Sequence, residues 1–188
     1  MRKPLIGENL AVLVANGFHE SDLTMTQKAL QPLGANIRIV SMDHGLVNSW
    51  NEQGWGLHFA ADKALNAALA ADFSMLVIPG GSRSIEKLKL TAHTRRFISG
   101  FIDMRKPVAF FGDAVELLGF SERLSGRSVV SSESFKEQAL AAGANISQDV
   151  YQIDESIITG GYDAATLPEY VQAVSSFFVS SFSMKEAA

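Results

Sequence analysis

The chain has 188 residues, 47% hydrophobic and 19% charged, with a net charge of −4 and no cysteine. That length and balance suit one core-bearing domain over 1–188 and exclude a disordered chain. The basic runs Arg95-Arg96 and Arg105-Lys106 are too short to track a phosphate backbone, which argues against nucleic acid as a partner. Without a thiol there is no disulfide, no thiolate metal site and no cysteine nucleophile.

Met1-Arg2-Lys3 could begin a signal peptide, but the apolar run Leu10–Ala15 is short and preceded by Glu8-Asn9, so it reads as a first buried strand. No segment approaches the about 20 apolar residues that span a bilayer. The expectation is a cytoplasmic protein with no membrane partner.

In chain order, the continuous apolar run 10–15 suits a strand covered on both faces. Ser21 is placed to cap a helix over 22–33, with Leu23, Leu30 and Leu33 buried, Pro32 in its last turn and Gly34 ending it. Residues 36–41 alternate as a second strand. Residues 42–61, which hold both tryptophans, Trp50 and Trp55, suggest a hairpin or lid, and 62–70 an alanine-rich helix. A buried strand at 75–78 ends in Pro79-Gly80-Gly81, helices follow at 83–89 and 92–104, and a strand at 107–111 turns at Gly112 into a helix through Leu118. A strand at 128–130 precedes a helix to Ala142 opened by the capping box Ser134-x-x-Glu137. Short strands near 145–147, 150–153 and 156–159 lead to a helix from Thr166 to about residue 182, with a loose tail over 183–188.

Alternating strands and helices predict an α/β fold with an open, mostly parallel sheet and helices on both faces. In such sheets ligands sit beyond the carboxyl ends of the strands, here after residues 15, 78, 111 and 159. Those ends read Asn16-Gly-Phe-His-Glu-Ser-Asp22, Pro79-Gly-Gly-Ser-Arg83, Phe111-Gly-Asp-Ala114 and Thr159-Gly-Gly-Tyr-Asp163, with glycine in each.

The first strand with Asn16–Asp22, together with Leu76–Gly81, Lys106–Ala109, Leu124–Arg127, Ile157–Thr159 and Leu167-Pro168, resembles the ThiJ/PfpI superfamily over roughly 8–180. The resemblance implies a flavodoxin-like three-layer α/β/α sandwich related to class I glutamine amidotransferases, commonly dimeric, with a cysteine at a strained strand-to-helix elbow. Deglycation, glyoxalase-like, peptidase and chaperone activities are linked to the family. Aligned from Lys106-Pro107, the nucleophile position is Gly112, the next is Asp113, and Asp22 falls on the first-loop acid. The Gly-Asp-Ala spelling is similar to the cysteine-less C-terminal domains of large-subunit catalases, which implies a catalase or another stress enzyme as one candidate protein partner.

The candidate ligand-binding residues are Glu20, Asp22, Gly80, Gly81, Gly112 and Asp113. Asp22 and Asp113 could converge as a carboxylate pair, or each could charge the first turn of its own helix. The amides of Gly80 and Gly81 could receive an anion, or simply form a tight turn. Trp50, Trp55 and Phe59 could line a pocket or a partner interface, or pack a hairpin onto its own domain. His19, His44, His58 and His93 lack helical zinc spacing, and no metal or cofactor is implied. The expected function is a non-catalytic ligand-binding or protein-interaction module, a homodimer without cysteine-dependent protease, deglycase or amidotransferase activity. The alternative is a thiol-independent hydrolase or lyase using Asp22 and Asp113.

Overall fold

The computed structural model describes residues 3–186. The first apolar run forms β1 (Asn9–Val14), followed by a two-residue strand, β2 (Phe18–His19), and α1 (Glu20–Leu30). Then come β3 (Asn36–Ser41), the antiparallel hairpin β4 (Leu46–Trp50) and β5 (Trp55–Ala60), and the short β6 (Lys63–Ala64). The central strand β7 (Met75–Ile78) leads to α2 (Ser82–Leu88) and α3 (Ala92–Asp103). The next strand, β8 (Val108–Phe111), passes through a 3-10 turn at Gly112–Val115 into α4 (Glu116–Phe120). The chain ends with β9 (Ser128–Val129), α5 (Glu133–Ala141), β10 (Asn145–Ile146), β11 (Tyr151–Asp154), β12 (Ile157–Gly160) and α6 (Leu167–Glu186).

Seven strands form one sheet in the order β11-β12-β8-β7-β1-β3-β6, parallel throughout except where β11 runs against β12. Two faces are buried because β1 alternates between two cores. Leu10, Val12 and Val14 pack with residues of α1 and α6, whereas Ala11 and Leu13 pack with residues of α2, α3, α4 and α5. The result is an α/β/α sandwich of flavodoxin-like form. β1 has β3 on one side and β7 on the other, so the strand order turns outward from that pair. The loops after β1 and β7 therefore leave the sheet at its switch point, with the loop after β8 beside them.

Several expectations are corrected. No helix forms over 62–70. The Asp62 carboxylate accepts the Ile39 amide at 2.7 Å, holding 63–64 extended beside β3, and Arg96 donates to the carbonyls of Leu65 and Ala68. These tertiary bonds override alanine's helical preference. α1 ends at Leu30, which leaves Pro32 outside the helix where its ring disturbs nothing. Ser21 is not its cap. The N-cap is His19, whose amide is committed to the carbonyl of Gly80 at 2.9 Å.

Ser134 lies within α5 rather than capping it, and its hydroxyl meets that of Ser132 at 3.0 Å. Before α6, Asp163 accepts the Thr166 amide at 2.8 Å, and the helix continues to Glu186, through most of the expected tail. Residues 1–2 and 187–188, at the edges of the expected basic start and tail, lie outside the described residues. No helix is long and apolar enough to cross a membrane among the described residues.

Candidate functional site

β8 is buried at all four positions and ends at Gly112, whose φ of +52° turns the chain off the sheet. A Cβ built there would meet only the carbonyl oxygen of Gly161, at 3.6 Å. That is ordinary contact, so the elbow has room for a side chain at the position that holds glycine. Its floor is Tyr170 of α6, fully buried, whose hydroxyl lies 2.7 Å from the carbonyl oxygen of Phe110 and 3.1 Å from that of Ile158. The hydroxyl links β8 to β12, and burial pushes its pKa well up, keeping it a neutral donor.

The loop after β7 depends on glycine more strictly. Gly81 has a φ of +114°, and a Cβ there would fall 2.6 Å from the Gly17 carbonyl oxygen. A Cβ at Gly80 would lie 2.8 Å from Asp113 Oδ1 and 3.0 Å from the Phe111 carbonyl oxygen. The backbone can pass between the neighbouring loops only without side chains.

Two carboxylates take the amides of this loop. Asp22 Oδ2 accepts the Gly80 N–H at 2.9 Å, and Asp113 Oδ1 accepts the Gly81 N–H at 2.8 Å. Both acids sit in the first turns of their own helical segments, as expected, and each also spends an oxygen on an amide of the loop after β7. The reason is local. Two amides aimed away from any strand ladder need acceptors, and two acids at the starts of α1 and of the turn into α4 supply them. The amides proposed as receivers of an external anion thus already hold internal ones.

Asp22 is 3% exposed, and burial pushes its carboxyl up to about 6. The Gly80 amide and the neighbouring His19 oppose that rise, while Asp113 adds to it. His19 Nδ1 lies 3.7 Å from Asp22 Oδ2, on a side chain that is 47% exposed.

Glu20, two residues before Asp22, faces away from the elbow. Its Oε2 accepts the Ser49 hydroxyl at 2.6 Å and the Leu57 amide at 2.7 Å, and these bonds hold its carboxyl below its usual range. Of the six candidate residues, Asp22, Gly80, Gly81, Gly112 and Asp113 meet, and Glu20 instead fastens α1 to the hairpin.

The hairpin divides its aromatics. Phe59 packs on Phe18 at 5.6 Å between ring centroids, Trp50 meets Trp55 edge-on at 5.5 Å, and Trp55 is exposed. Over Trp50 lies the Arg83 guanidinium, 3.9 Å from the ring centroid. Arg83 and the half-buried Tyr162, whose hydroxyl donates to the Val130 carbonyl, lie on these loops or just after them without having been singled out from the sequence. Their only sequence signal is position, two residues after Gly81 and one after Gly161. Among the described residues no three His, Asp or Glu side chains gather as a metal cluster.

The DJ-1/PfpI family model matches residues 8–176. YraA of Bacillus subtilis (strain 168), named as a candidate cysteine protease, is 25% identical over 82% of this chain and 89% of its own length. Catalase HPII of Pseudomonas aeruginosa is 26% identical over 57% of this chain, a stretch amounting to 15% of the catalase. Among solved structures, DJ-1beta of Drosophila melanogaster superposes with a TM-score of 0.80 at 17% identity, covering 97% of this chain and 99% of that one. A two-domain protein of Anabaena variabilis, with DJ-1/ThiJ/PfpI-like and ferritin-like domains, gives a TM-score of 0.82 at 21% identity over 90% of this chain and 47% of that one. These structural likenesses concern the fold alone.

Proposed function

This chain belongs to the DJ-1/PfpI family, and on that premise we propose that it is a binding module, recognising a small ligand or a protein partner without thiol chemistry. One observation carries the reading: the elbow is intact in shape while Gly112 stands where the nucleophile belongs, in a chain with no cysteine. The occupied Gly80 and Gly81 amides support it, because a developing oxyanion would have to displace two internal carboxylates. The proposal includes one domain over the chain, a homodimer and a cytoplasmic setting. The partial likeness to catalase HPII keeps a stress enzyme among the candidate partners.

Purified protein is expected to leave methylglyoxal and unstructured peptides unconverted. Robust turnover that disappears in Asp22→Ala or Asp113→Ala would overturn the proposal. That outcome would establish the second reading, a thiol-free hydrolase or lyase. The observation favouring it is the convergence of the buried Asp22 and of Asp113 on consecutive amides, with burial pushing the Asp22 carboxyl up toward the working range of a general acid or base.

A further inference from the structure

Around the loops after β1 and β7, Glu20, Asp22 and Asp113 each have hydrogen-bond partners, whereas Arg83 has no carboxylate beside it among the described residues. Glu20 holds Ser49 and Leu57, Asp22 holds Gly80, and Asp113 holds Gly81. Among the described residues no carboxylate pairs with Arg83, which is instead seated on Trp50. Its placement is fixed from two sides. Gly17, with a φ of +93°, lets the loop after β1 pass so near that a Cβ there would fall 2.5 Å from the Arg83 Cβ. The indole of Trp50 then holds the head of the side chain.

Stacking uses the face of a guanidinium and leaves its N–H edge able to grip two oxygens of one acid group. His19 is the register partner of Trp50 across β2 and β4, and its half-exposed imidazole lies 3.7 Å from Asp22 Oδ2.

We propose that Arg83, backed by Trp50, is the binding site for a small oxyanion, a carboxylate or phosphate group of a metabolite. The site deepens the binding-module reading and rests on it. It differs from the family's elbow chemistry in needing neither residue 112 nor the loop amides.

Trp50 makes the site self-reporting, because an anion drawing on the guanidinium alters the field over the indole. Tryptophan emission of the full chain would be titrated with inorganic phosphate and with succinate at constant ionic strength, in wild type, Arg83→Met and Arg83→Lys. The expected result is a saturable change with at least one probe, and the stronger probe identifies the source of the oxyanion. Arg83→Met should weaken it by about tenfold or more, and Arg83→Lys, which keeps charge but not the fork, by less.

No saturable response to either probe, an equal response to chloride, or unchanged affinity in Arg83→Met would overturn the inference. The two readings fail separately: turnover of methylglyoxal or peptide defeats the non-catalytic module, whereas absent binding defeats only the arginine site.

Discussion

Asp22 and Asp113, from helices that follow different strands of the sheet, accept hydrogen bonds from consecutive backbone amides, those of Gly80 and Gly81. The two bonds tie three loops into one corner. They also place two carboxylates close enough for Asp113 to raise the pKa of Asp22.

Asp22 should make stability depend on pH. Its carboxyl titrates at about 6 in the folded chain against an ordinary 3.8. Between those values the folded state holds a proton that the unfolded state has released, so stability falls as pH rises through the window. Asp22→Asn keeps an oxygen for the Gly80 amide and removes the buried charge. Relative to wild type, the variant should gain about 3 kcal/mol between pH 3.5 and pH 7.5. Urea unfolding at the two pH values measures this, and equal differences at both would refute it.

The two glycines should respond differently to a methyl group. Gly112→Ala makes only an ordinary contact with the Gly161 carbonyl oxygen and bears the cost of a left-handed φ, about 1 kcal/mol. Gly81→Ala drives a Cβ against the Gly17 carbonyl and should cost about 3 kcal/mol or more. Thermal unfolding of both variants gives the ranking, and a reversed order would show that the elbow, not the loop, is the tighter turn.

Glu20 should govern the hairpin. Its carboxyl is held low by Ser49 and Leu57, so its contribution is present above the ordinary value of 4.5 and is lost as pH falls through the lower folded value. Glu20→Gln replaces a charged acceptor by a neutral one. At neutral pH, protection of the Leu57 amide against hydrogen exchange should drop by about fivefold, while β1 amides stay unchanged. A uniform drop in both would mean global destabilisation instead.

The sheet was legible because its central strands are continuous apolar runs. Residues 10–15, 75–78 and 107–111 could be buried on both faces only in a parallel sheet. The helix expected at 62–70 failed because its alanines carry a local preference, whereas the bonds that decide the matter come from Ile39 and Arg96, distant in sequence. The site was legible as a set of strand ends but not as a set of directions. Glu20 and Asp22 both sit in the first turn of α1, yet one turns to the hairpin and the other to the loop after β7. Which way each points is decided by where β4 and β7 lie, and that is a property of the sheet. Likewise nothing near Arg83 in sequence announces Trp50.

The paired amides also bear on how selective the corner can be. With Gly80 and Gly81 clamped by side chains from two other loops, three segments must shift together if any one does. A guest would meet a surface already in its final shape, so little conformational freedom would be lost on docking. The same stiffness denies the surface any adjustment to a guest of different outline. Recognition at this corner should therefore be narrow in chemistry and should discriminate among close analogues.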